Sequence, residues 1–406
     1  MRTALLALVL SPILVTGQDE EESSALPPPV IVDSADHPSL QEAIDALPES
    51  GGFLRLAPGT IDITEPLVVT TPETRIQGSG PSSHIRNRNA EGKPALVLRP
   101  ATRAEDPKAR LWRVELANFR ISGNEASGNG IHAEAIQEIF LQGVSVDHHG
   151  GHGIALIDCF ENPRVSGCMI TYNADAGLFI DGGHDIVVNA NHFEENGDGV
   201  RCIDAFNLCM NGNNLDDHLG NGVVIENTYG SVLSGNMIEE CQGTAIILDR
   251  DCYGIAISAN VIAHEVKGGV DLRDAHGCSV SANTFTIVHE FGVRVGPDSG
   301  RITITGNSFS NSYMGEGAHK RKLESDNILQ IDTSTGVVLE DTEHNTITGN
   351  TFSGLDGSAV TACDACRGIL ISGNTVTDFG RRAEEKPEAF AVPETESIRI
   401  GHNLVD

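Results

Sequence analysis

The sequence is poor in aromatic residues and in positive charge. Aromatic side chains make up 4% of its 406 residues, and 27 lysines and arginines stand against 57 aspartates and glutamates, for a formal net charge of −30. Such an acidic excess argues against nucleic acid as a partner. It favours solubility and contact with divalent cations, and it carries no information about the fold.

Hydrophobic runs long enough to span a bilayer are also missing. The apolar stretch at residues 4–15 follows a short basic start and precedes small residues at 15–17, which is typical of a secretory signal. We therefore predict a signal peptide at residues 1–17, a flexible acidic and proline-rich leader at 18–29, and a secreted or periplasmic protein without an integral membrane segment.

What the chain does contain is a repeated phrase in which glycine or alanine precedes asparagine. Successive asparagines are 22, 23, 24, 23, 24, 43 and 24 residues apart, at positions Asn191, Asn213, Asn236, Asn260, Asn283, Asn307, Asn350 and Asn374. A fixed period of this length indicates a solenoid. The asparagines should stack in one structural column, and the phenylalanines two residues after them (Phe193, Phe285, Phe309 and Phe352) should lie in the core.

The segments around each asparagine alternate apolar and polar residues, which predicts strands rather than helices. A second phrase, led by glycine, marks another strand in each repeat. Strands recurring about every 23 residues leave no room for an intervening helix. The sequence therefore predicts an all-β, right-handed parallel β-helix over residues 30–406, with regular repeats at 113–310 and 336–406.

Residues 30–112 are expected to cover the open end of the solenoid. Leu40, Ala43, Ile44 and Leu47 lie on one face of a predicted amphipathic helix, with Ser39 as its N-cap. Such a helix would shield the first strand edge and the core behind it.

The same region carries four motifs in order. They are Leu-Gln-Glu-Ala-Ile-Asp at 40–45, Gly-Gly-Phe-Leu-Arg-Leu at 51–56, Ala-Pro-Gly-Thr at 57–60 and Ile-Gln-Gly-Ser-Gly at 76–80. Together they resemble the opening of the pectate-lyase-like superfamily. The resemblance implies the fold but no single reaction, because lyases, epimerases, hydrolases and non-catalytic tail proteins share it. It also implies that reacting groups lie on the outer face of one strand ladder and its turns.

Ionisable residues concentrate on four consecutive repeats of this kind. The candidate catalytic residues are His149, His152, Tyr172, Asp198 and Arg201. A lyase needs a base to remove the proton beside a uronate carboxyl group and a positive group to neutralise that carboxyl group. One of the histidines or the tyrosine would be the base. The arginine would be the neutraliser, or a calcium ion held by Asp175 and Asp198.

Further charged positions are candidates for contact with an anionic polysaccharide. Those on the repeats are Asp217, His218, Asp271, Arg273 and Arg294; Lys320, Arg321 and Lys322 lie in a basic insert at 311–335 that accounts for the long asparagine interval. The insert can equally be an ordinary solvated loop.

Several alternatives stay open at this point. An epimerase would need a second proton donor, and a hydrolase two carboxylates, for which Asp198 with Asp217 or Asp175 are candidates. A copper or zinc site could use the histidines at 148, 149, 152 and 218. A non-catalytic carbohydrate-binding or envelope protein fits the same fold. The fifteen histidines are widely spread, so their grouping here can also reflect plain turn residues.

The cysteines differ in their expected roles. The count is nine, so at least one thiol is free or pairs between chains. Cys202 and Cys278 take interior positions of the repeat and should act as small core residues. Cys363 and Cys366 have Cys-x-x-Cys spacing, for which a turn disulfide or two packed thiols is favoured over zinc.

Overall fold

The alternating segments form parallel strands in a computed structural model of the chain, which describes residues 30–310, 333–380 and 383–406. The chain winds into a parallel β-solenoid of about 14 turns, each of which is called a rung below. The predicted all-β parallel fold is confirmed. Each rung has three short strands, so the solenoid has three faces.

The first face is a single sheet of 15 parallel strands, each paired with its equivalent on the next rung. Its strands are Ile31–Asp33, Gly52–Arg55, Thr74–Gln77, Leu111–Ala117, Ile136–Gln142, Arg164–Ser166, Val187–Asn189, Cys209–Asn211, Val232–Ser234, Ala256–Ser258, Ser279–Ser281, Thr303–Thr305, Thr346–Thr348, Ile369–Ser372 and Ile398–Gly401.

The second face follows the asparagine turn in each rung. Its strands are Gly59–Ile63, Ser83–Asn87, Arg120–Ser122, Ser145–Asp147, Met169–Thr171, His192–Glu194, Asn214–Asp216, Met237–Glu239, Val261–Leu272, Thr284–Val295, Ser308–Ser310, Thr351–Ser353, Thr375–Thr377 and Leu404–Val405.

The third face completes each rung. Strands Val261–Leu272 and Thr284–Val295 are long enough to belong to both the second and the third face. Each pairs with second-face strands through its first residues and with third-face strands through its last residues. The other strands of the third face are Leu67–Val69, Leu96–Leu98, Ile131–Glu134, Ile154–Cys159, Leu178–His184, Val200–Phe206, Val223–Glu226, Thr244–Asp249, Thr335–Leu339, Val360–Ala362 and Phe390–Ala391; a short pair, Cys252–Tyr253 with Ala275–His276, follows it.

The inward residues of each face form aliphatic columns in the core. On the first face, Val188, Met210, Leu233, Ile257 and Val280 are in register and fully buried. Burial of each such side chain stabilises the fold by roughly 1.5–3 kcal/mol. Because every rung repeats the same contacts, stability is distributed along the axis.

The predicted asparagine column is confirmed, and it extends to Asn403. Each side-chain Nδ2 donates to the Oδ1 of the next asparagine, for example Asn236 to Asn260 at 2.9 Å and Asn260 to Asn283 at 3.0 Å. The backbone N–H of each asparagine donates to the same oxygen. The predicted phenylalanine column is buried as well, and Phe285, Phe309 and Phe352 stack with centroids 4.6 and 4.7 Å apart.

The predicted capping helix is present but short, at Leu40–Asp45. The Ser39 hydroxyl accepts from the Glu42 N–H, which makes Ser39 the predicted N-cap, and it donates to the Glu42 carboxylate. Leu40, Ala43 and Ile44 are buried. Two hydrogen bonds between the Gln41 side chain and the Val68 backbone attach the helix to the first strand of the third face. Short 3-10 helices lie at Ser34–Asp36 and Gly80–Ser82.

Some predictions lie outside the described residues. These are the signal peptide and leader (1–29) and most of the basic insert, including Lys320, Arg321 and Lys322. In the described part of the chain, strand pairing begins at Ile31–Asp33, well before residue 113. Helices long and apolar enough to cross a membrane are not found in that part.

Candidate functional site

The corner between the second and third faces carries a run of side chains in an unfavourable backbone conformation. On seven consecutive rungs, the residue two positions after the buried residue of the second-face strand has φ between 47° and 59°. The seventh is Ile287, and the first six are ionisable: His148, Tyr172, Glu195, Asp217, Glu240 and His264. We call these six residues the left-handed column. For a residue with a Cβ atom, this conformation costs about 1–2 kcal/mol.

The corner between the first and second faces uses small residues instead. Its left-handed position is glycine on seven and alanine on three of ten successive rungs: Gly143, Gly167, Ala190, Gly212, Gly235, Ala259, Ala282, Gly306, Gly349 and Gly373. Glycine adopts this conformation without strain. The left-handed column instead keeps six polar, mostly ionisable side chains there, and backbone strain of this kind gathers at functional sites. The column is therefore the candidate functional site.

At one end of the column, two rings face each other. The His148 ring stacks on the Tyr172 ring with centroids 4.9 Å apart and an interplanar angle of 26°. Nδ1 of His148 is 2.7 Å from Oδ1 of Asp147. The His148 side chain is 58% exposed whereas that of Asp147 is 8% exposed, so Nε2 of the imidazole is the ring nitrogen left for a ligand.

Asp147 holds a second partner besides the histidine. Its carboxylate accepts from Nε and Nη2 of Arg120, each at 2.8 Å. Burial raises the pKa of the Asp147 carboxyl group, but the hydrogen bonds from Arg120 and His148 outweigh burial and lower the pKa overall. The carboxylate therefore stays ionised and fixes both partners. The pKa of Tyr172 is raised by the negative charges of Glu194 and Glu195, so the phenol stays protonated at neutral pH.

These groups border an open groove of about 980 Å³ on the surface. Two arginines lie at its N-terminal end: Arg86 is held by Asp62 at 2.6 and 2.9 Å, the same two-point arrangement as Arg120 with Asp147. The residues that line the groove include His84, Arg86, Arg120, Asp147, His148 and Tyr172.

The C-terminal part of the column is acidic. Asp216, Asp217 and Glu240 place carboxylate oxygens within 4.8 Å of one another, the one set of three potential metal ligands found across residues 30–310, 333–380 and 383–406. Burial and the neighbouring Asp217 raise the pKa of Glu240. An anionic ligand in the groove thus meets two guanidinium groups on one side and a dense negative patch on the other.

The predicted histidines at 149 and 218 do not reach the surface. Both are buried, and desolvation lowers the pKa of each imidazole to about 4. They sit in a second, short amide ladder: the Asn173 Nδ2 donates to Asn196 Oδ1 at 2.8 Å, and Nδ1 of His218 accepts from the Asn196 N–H at 3.2 Å. In the described part of the chain Nε2 of each imidazole has no hydrogen-bond partner.

The predicted residues His152, Asp198 and Arg201 lie at the start of the third face, across the same corner from the column. Nδ1 of His152 accepts from the Ala176 N–H, and its ring stacks on Phe179 at 4.5 Å. Oδ1 of Asp198 accepts two hydrogen bonds from Asn221.

Most polar atoms of His152, Asp198 and Arg201 already have hydrogen-bond or ion-pair partners within the protein. Arg201 donates to Glu226 at 2.5 Å and lies 4.0 Å from Asp198. Asp175 is exposed. The predicted calcium pair Asp175 and Asp198 does not belong to the three-ligand set described above.

The predicted substrate-binding arginines at 273 and 294 also form ion pairs within the protein. Both bind Asp271, whose side chain is fully buried: Arg273 Nε at 2.8 Å, and Arg294 at 2.9 and 2.5 Å. Asp217, by contrast, belongs to the left-handed column. Of the predicted residues that the structure describes, Tyr172 and Asp217 thus share one column, and the others lie beneath it, across the corner or on later rungs.

The sequence placed Asp147 and His148 only in a possible copper or zinc site, and it did not point to Arg120. A comparison of one position across rungs singles out His148, because the residue two after each buried second-face residue is polar on six rungs in succession. Asp147 and Arg120 become part of the site through their hydrogen bonds in the folded chain.

Comparisons with known proteins support the architecture. No curated protein sequence matches the chain. Among solved structures, the mannuronan C-5 epimerase AlgE6 A-module of Azotobacter vinelandii is similar at 16% identity, covering 92% of this chain and 99% of that one, with a TM-score of 0.51. A periplasmic alginate epimerase, AlgG, is similar at 13% identity over 93% and 84% of the two chains, with a TM-score of 0.57.

A third similar structure is a protein of a bacteriophage. The pre-mature phi29 gene product 12 has 12% identity over 87% of this chain and 54% of that one, also with a TM-score of 0.57. At these identities the likeness shows the fold alone. The model of the family described as right handed beta helix region matches residues 108–262 and 244–383, and the chain belongs to that family.

Proposed function

We propose that the protein is a β-helix enzyme that acts on a uronate-containing polysaccharide, by lyase or epimerase chemistry, at the groove beside His148 and Tyr172. The observation that carries the proposal is the left-handed column, which keeps an imidazole and a phenol in a strained conformation where glycine would be stable. The similarity to two alginate epimerases supports an acidic polysaccharide as the substrate class.

Both reactions begin with removal of the proton beside the uronate carboxyl group. His148 accepts this proton at Nε2, because Nδ1 is held by Asp147 and only Nε2 is left for a ligand. Tyr172 is the proton donor, since its phenol stays protonated beside Glu194 and Glu195. The two rings are in contact, so a sugar that meets one also meets the other.

Neutralisation of the substrate carboxylate falls to Arg120. A guanidinium carries five N–H donors, and Asp147 takes those of Nε and one of Nη2. Nη1 is left to bind the uronate carboxylate in the groove, where it stabilises the negative charge that develops after proton removal.

The ring stacking favours elimination over epimerisation. Epimerisation needs a base on one face of the sugar and a donor on the other, whereas His148 and Tyr172 face the groove from the same corner. In elimination, the proton leaves for His148, the bond to the leaving oxygen breaks, and Tyr172 protonates that oxygen. The product is an unsaturated uronate at the new chain end.

We also propose that the protein binds calcium and is exported from the cytoplasm. Six carboxylates on the three rungs beyond Tyr172 would repel an anionic chain, and a bound calcium ion would remove that repulsion: Glu194, Glu195, Asp216, Asp217, Glu239 and Glu240. We further propose that the protein meets this substrate outside the cytoplasm, in keeping with the predicted signal peptide.

One assay tests the proposal. The protein is incubated with alginate, pectic and sulfated polysaccharides, with and without calcium, and the ultraviolet absorbance of unsaturated uronate is followed. Parallel reactions in deuterium oxide detect epimerisation by exchange at the sugar C–H. We expect unsaturated product on at least one uronate polymer. A protein that binds polymer but gives no product, no shortening and no exchange would be a carbohydrate-binding module instead.

Variants locate the reaction within the corner. Tyr172→Phe and His148→Gln should each lower kcat by about 10²-fold or more. His152→Ala and Asp198→Ala test the alternative residues across the corner. Loss of activity in this second pair alone would move the site from the left-handed column to the start of the third face.

A further inference from the structure

Two cysteines form a contact at the corner between the third and first faces, several rungs from the groove. Sγ of Cys363 lies 3.6 Å from Sγ of Cys366, in the turn that follows strand Val360–Ala362. The Cys366 N–H donates to the Cys363 carbonyl at 3.1 Å, so the two residues close a β-turn. A turn of this kind brings the Cα atoms within 7 Å, which suits a disulfide.

The two thiols differ in access. Cys363 and the turn residues between it and Cys366 are exposed, whereas Cys366 is 1% exposed and its Sγ lies 3.4 Å from the Leu339 carbonyl. The Asp341 N–H donates to Sγ of Cys363 at 3.1 Å. An N–H aimed at sulfur stabilises the thiolate form, which is the nucleophilic form.

The other seven cysteines provide the contrast. All nine lie in the described residues and are free thiols; six of these seven are buried and Cys209 is half-buried. Burial raises the pKa of several of them to about 12, for example Cys159 and Cys241. They are core residues, as predicted for Cys202 and Cys278, which are 0% and 2% exposed.

We propose that Cys363 and Cys366 are a reversible redox pair, in which Cys363 attacks disulfides from solvent and Cys366 resolves the product. The Cys363 thiolate attacks one sulfur of a low-molecular-weight disulfide, whose S–S bond breaks and releases one thiolate. The Cys366 thiol then loses its proton to solvent and attacks Sγ of Cys363, releasing the second thiolate. Two electrons pass from the cysteines to the small disulfide, which leaves as two thiols.

The local environment supports this order of events. Partial burial works to raise the pKa of the Cys363 thiol, but hydrogen bonds from the backbone N–H groups of Asp341 and Ala365 outweigh it and lower the pKa. Burial raises the pKa of Cys366. The exposed thiol is therefore the better nucleophile and the buried one is protected until the mixed disulfide forms beside it.

The pair is separate from the proposed polysaccharide site. The rung of Cys363 is the eighth after that of His148, about 40 Å along the axis at ~4.8 Å per rung. Its reaction does not depend on the proposed enzyme activity, so each can be tested without the other.

The probe is dithionitrobenzoate, an aromatic disulfide that releases a coloured thiol, applied to the folded, fully reduced protein. We expect two equivalents of the coloured thiol in the fast phase and no adduct left on the protein. The tryptic peptide ending at Arg367 contains both cysteines, and it should become lighter by two hydrogens. Dithiothreitol should restore its mass. The remaining seven thiols should react only after denaturation.

Three variants make the test specific. Cys366→Ser should release one equivalent and retain the aromatic adduct at Cys363. Cys363→Ser should lose the fast phase, and Cys209→Ser, which removes the half-buried thiol, should leave it unchanged. Circular dichroism checks that each variant is folded. An unchanged fast phase in Cys363→Ser, or a stable adduct on the native protein, would overturn the proposal.

Discussion

The rings of His148 and Tyr172 stack 4.9 Å apart although the residues belong to different rungs, and both have φ of 59°. The shared left-handed backbone points both side chains out of the corner in the same direction. Asp147 then fixes the imidazole from below, through a 2.7 Å contact with Nδ1. A buried carboxylate, an oriented imidazole and a protonated phenol are the parts that general acid–base catalysis requires.

The first prediction concerns Asp147 as a positioning residue. In Asp147→Asn, the amide cannot accept from both Arg120 and His148, so both lose their fixed geometry. We expect kcat on the uronate polymer to fall about 10²-fold with a smaller change in KM. Asp62→Asn is the matched control, because Asp62 holds Arg86 in the same two-point manner without contacting His148. Equal losses in both variants would mean that the arginines matter and the histidine does not.

The second prediction concerns strain at Glu240. Glu240→Gly removes the left-handed backbone strain and the repulsion from Asp217, so the free energy of unfolding should rise by about 1 kcal/mol. Glu240→Gln removes the charge but keeps the strained backbone, and should give a smaller gain. Urea titrations followed by circular dichroism measure both. A destabilised glycine variant would show that the Glu240 side chain supports the fold.

The third prediction concerns the asparagine column. The Asn260 side chain accepts from the N–H and Nδ2 of Asn236 and donates to Leu233 and Asn283. Asn260→Ala leaves buried donors without partners, so the free energy of unfolding should fall by at least about 1–3 kcal/mol.

Asn211→Ala is the control for the column. Its half-buried side chain lies outside the ladder and donates to Cys209. The change should stay within about 0.5 kcal/mol. If the two variants unfold at the same urea concentration, the ladder contributes no more than an ordinary surface amide.

The fourth prediction concerns acid stability. Burial lowers the pKa of His149 and His218 to about 4 in the folded chain, against about 6.5 in the unfolded one. Between these values the unfolded state binds more protons, so stability falls as pH drops from about 6.5 to 4, by up to about 3 kcal/mol for each imidazole. Thermal melts across this range should show the decline.

A replacement at His218 tests the origin of that decline. Asn173 and Asn196 occupy the same position on the two preceding rungs, so His218→Asn continues the amide ladder with a group that does not titrate. We expect the variant to lose part of the pH dependence between pH 6.5 and 4. His264→Asn, the same replacement at a half-buried histidine of the left-handed column, is the control. No difference between the two variants would place the acid sensitivity elsewhere.

The fold could be predicted from local patterns. The asparagine intervals define the rung, and the alternation of Val187–Asn189 or Thr303–Thr305 defines inward and outward positions, because side chains in a strand alternate strictly between faces. The cap followed from Ser39 and the apolar spacing behind it. These features depend only on residues near one another in the chain.

The site depended on backbone geometry that alternation does not describe. His148 and His149 are neighbours of identical chemistry, yet one is exposed to the groove and the other is buried with its pKa lowered to about 4. The left-handed turn at residue 148 breaks the alternation of strand Ser145–Asp147 and sends the two imidazoles in different directions. The repeat period thus determined the coil and its register, while which histidine faces a ligand was decided only by the conformation of the corner.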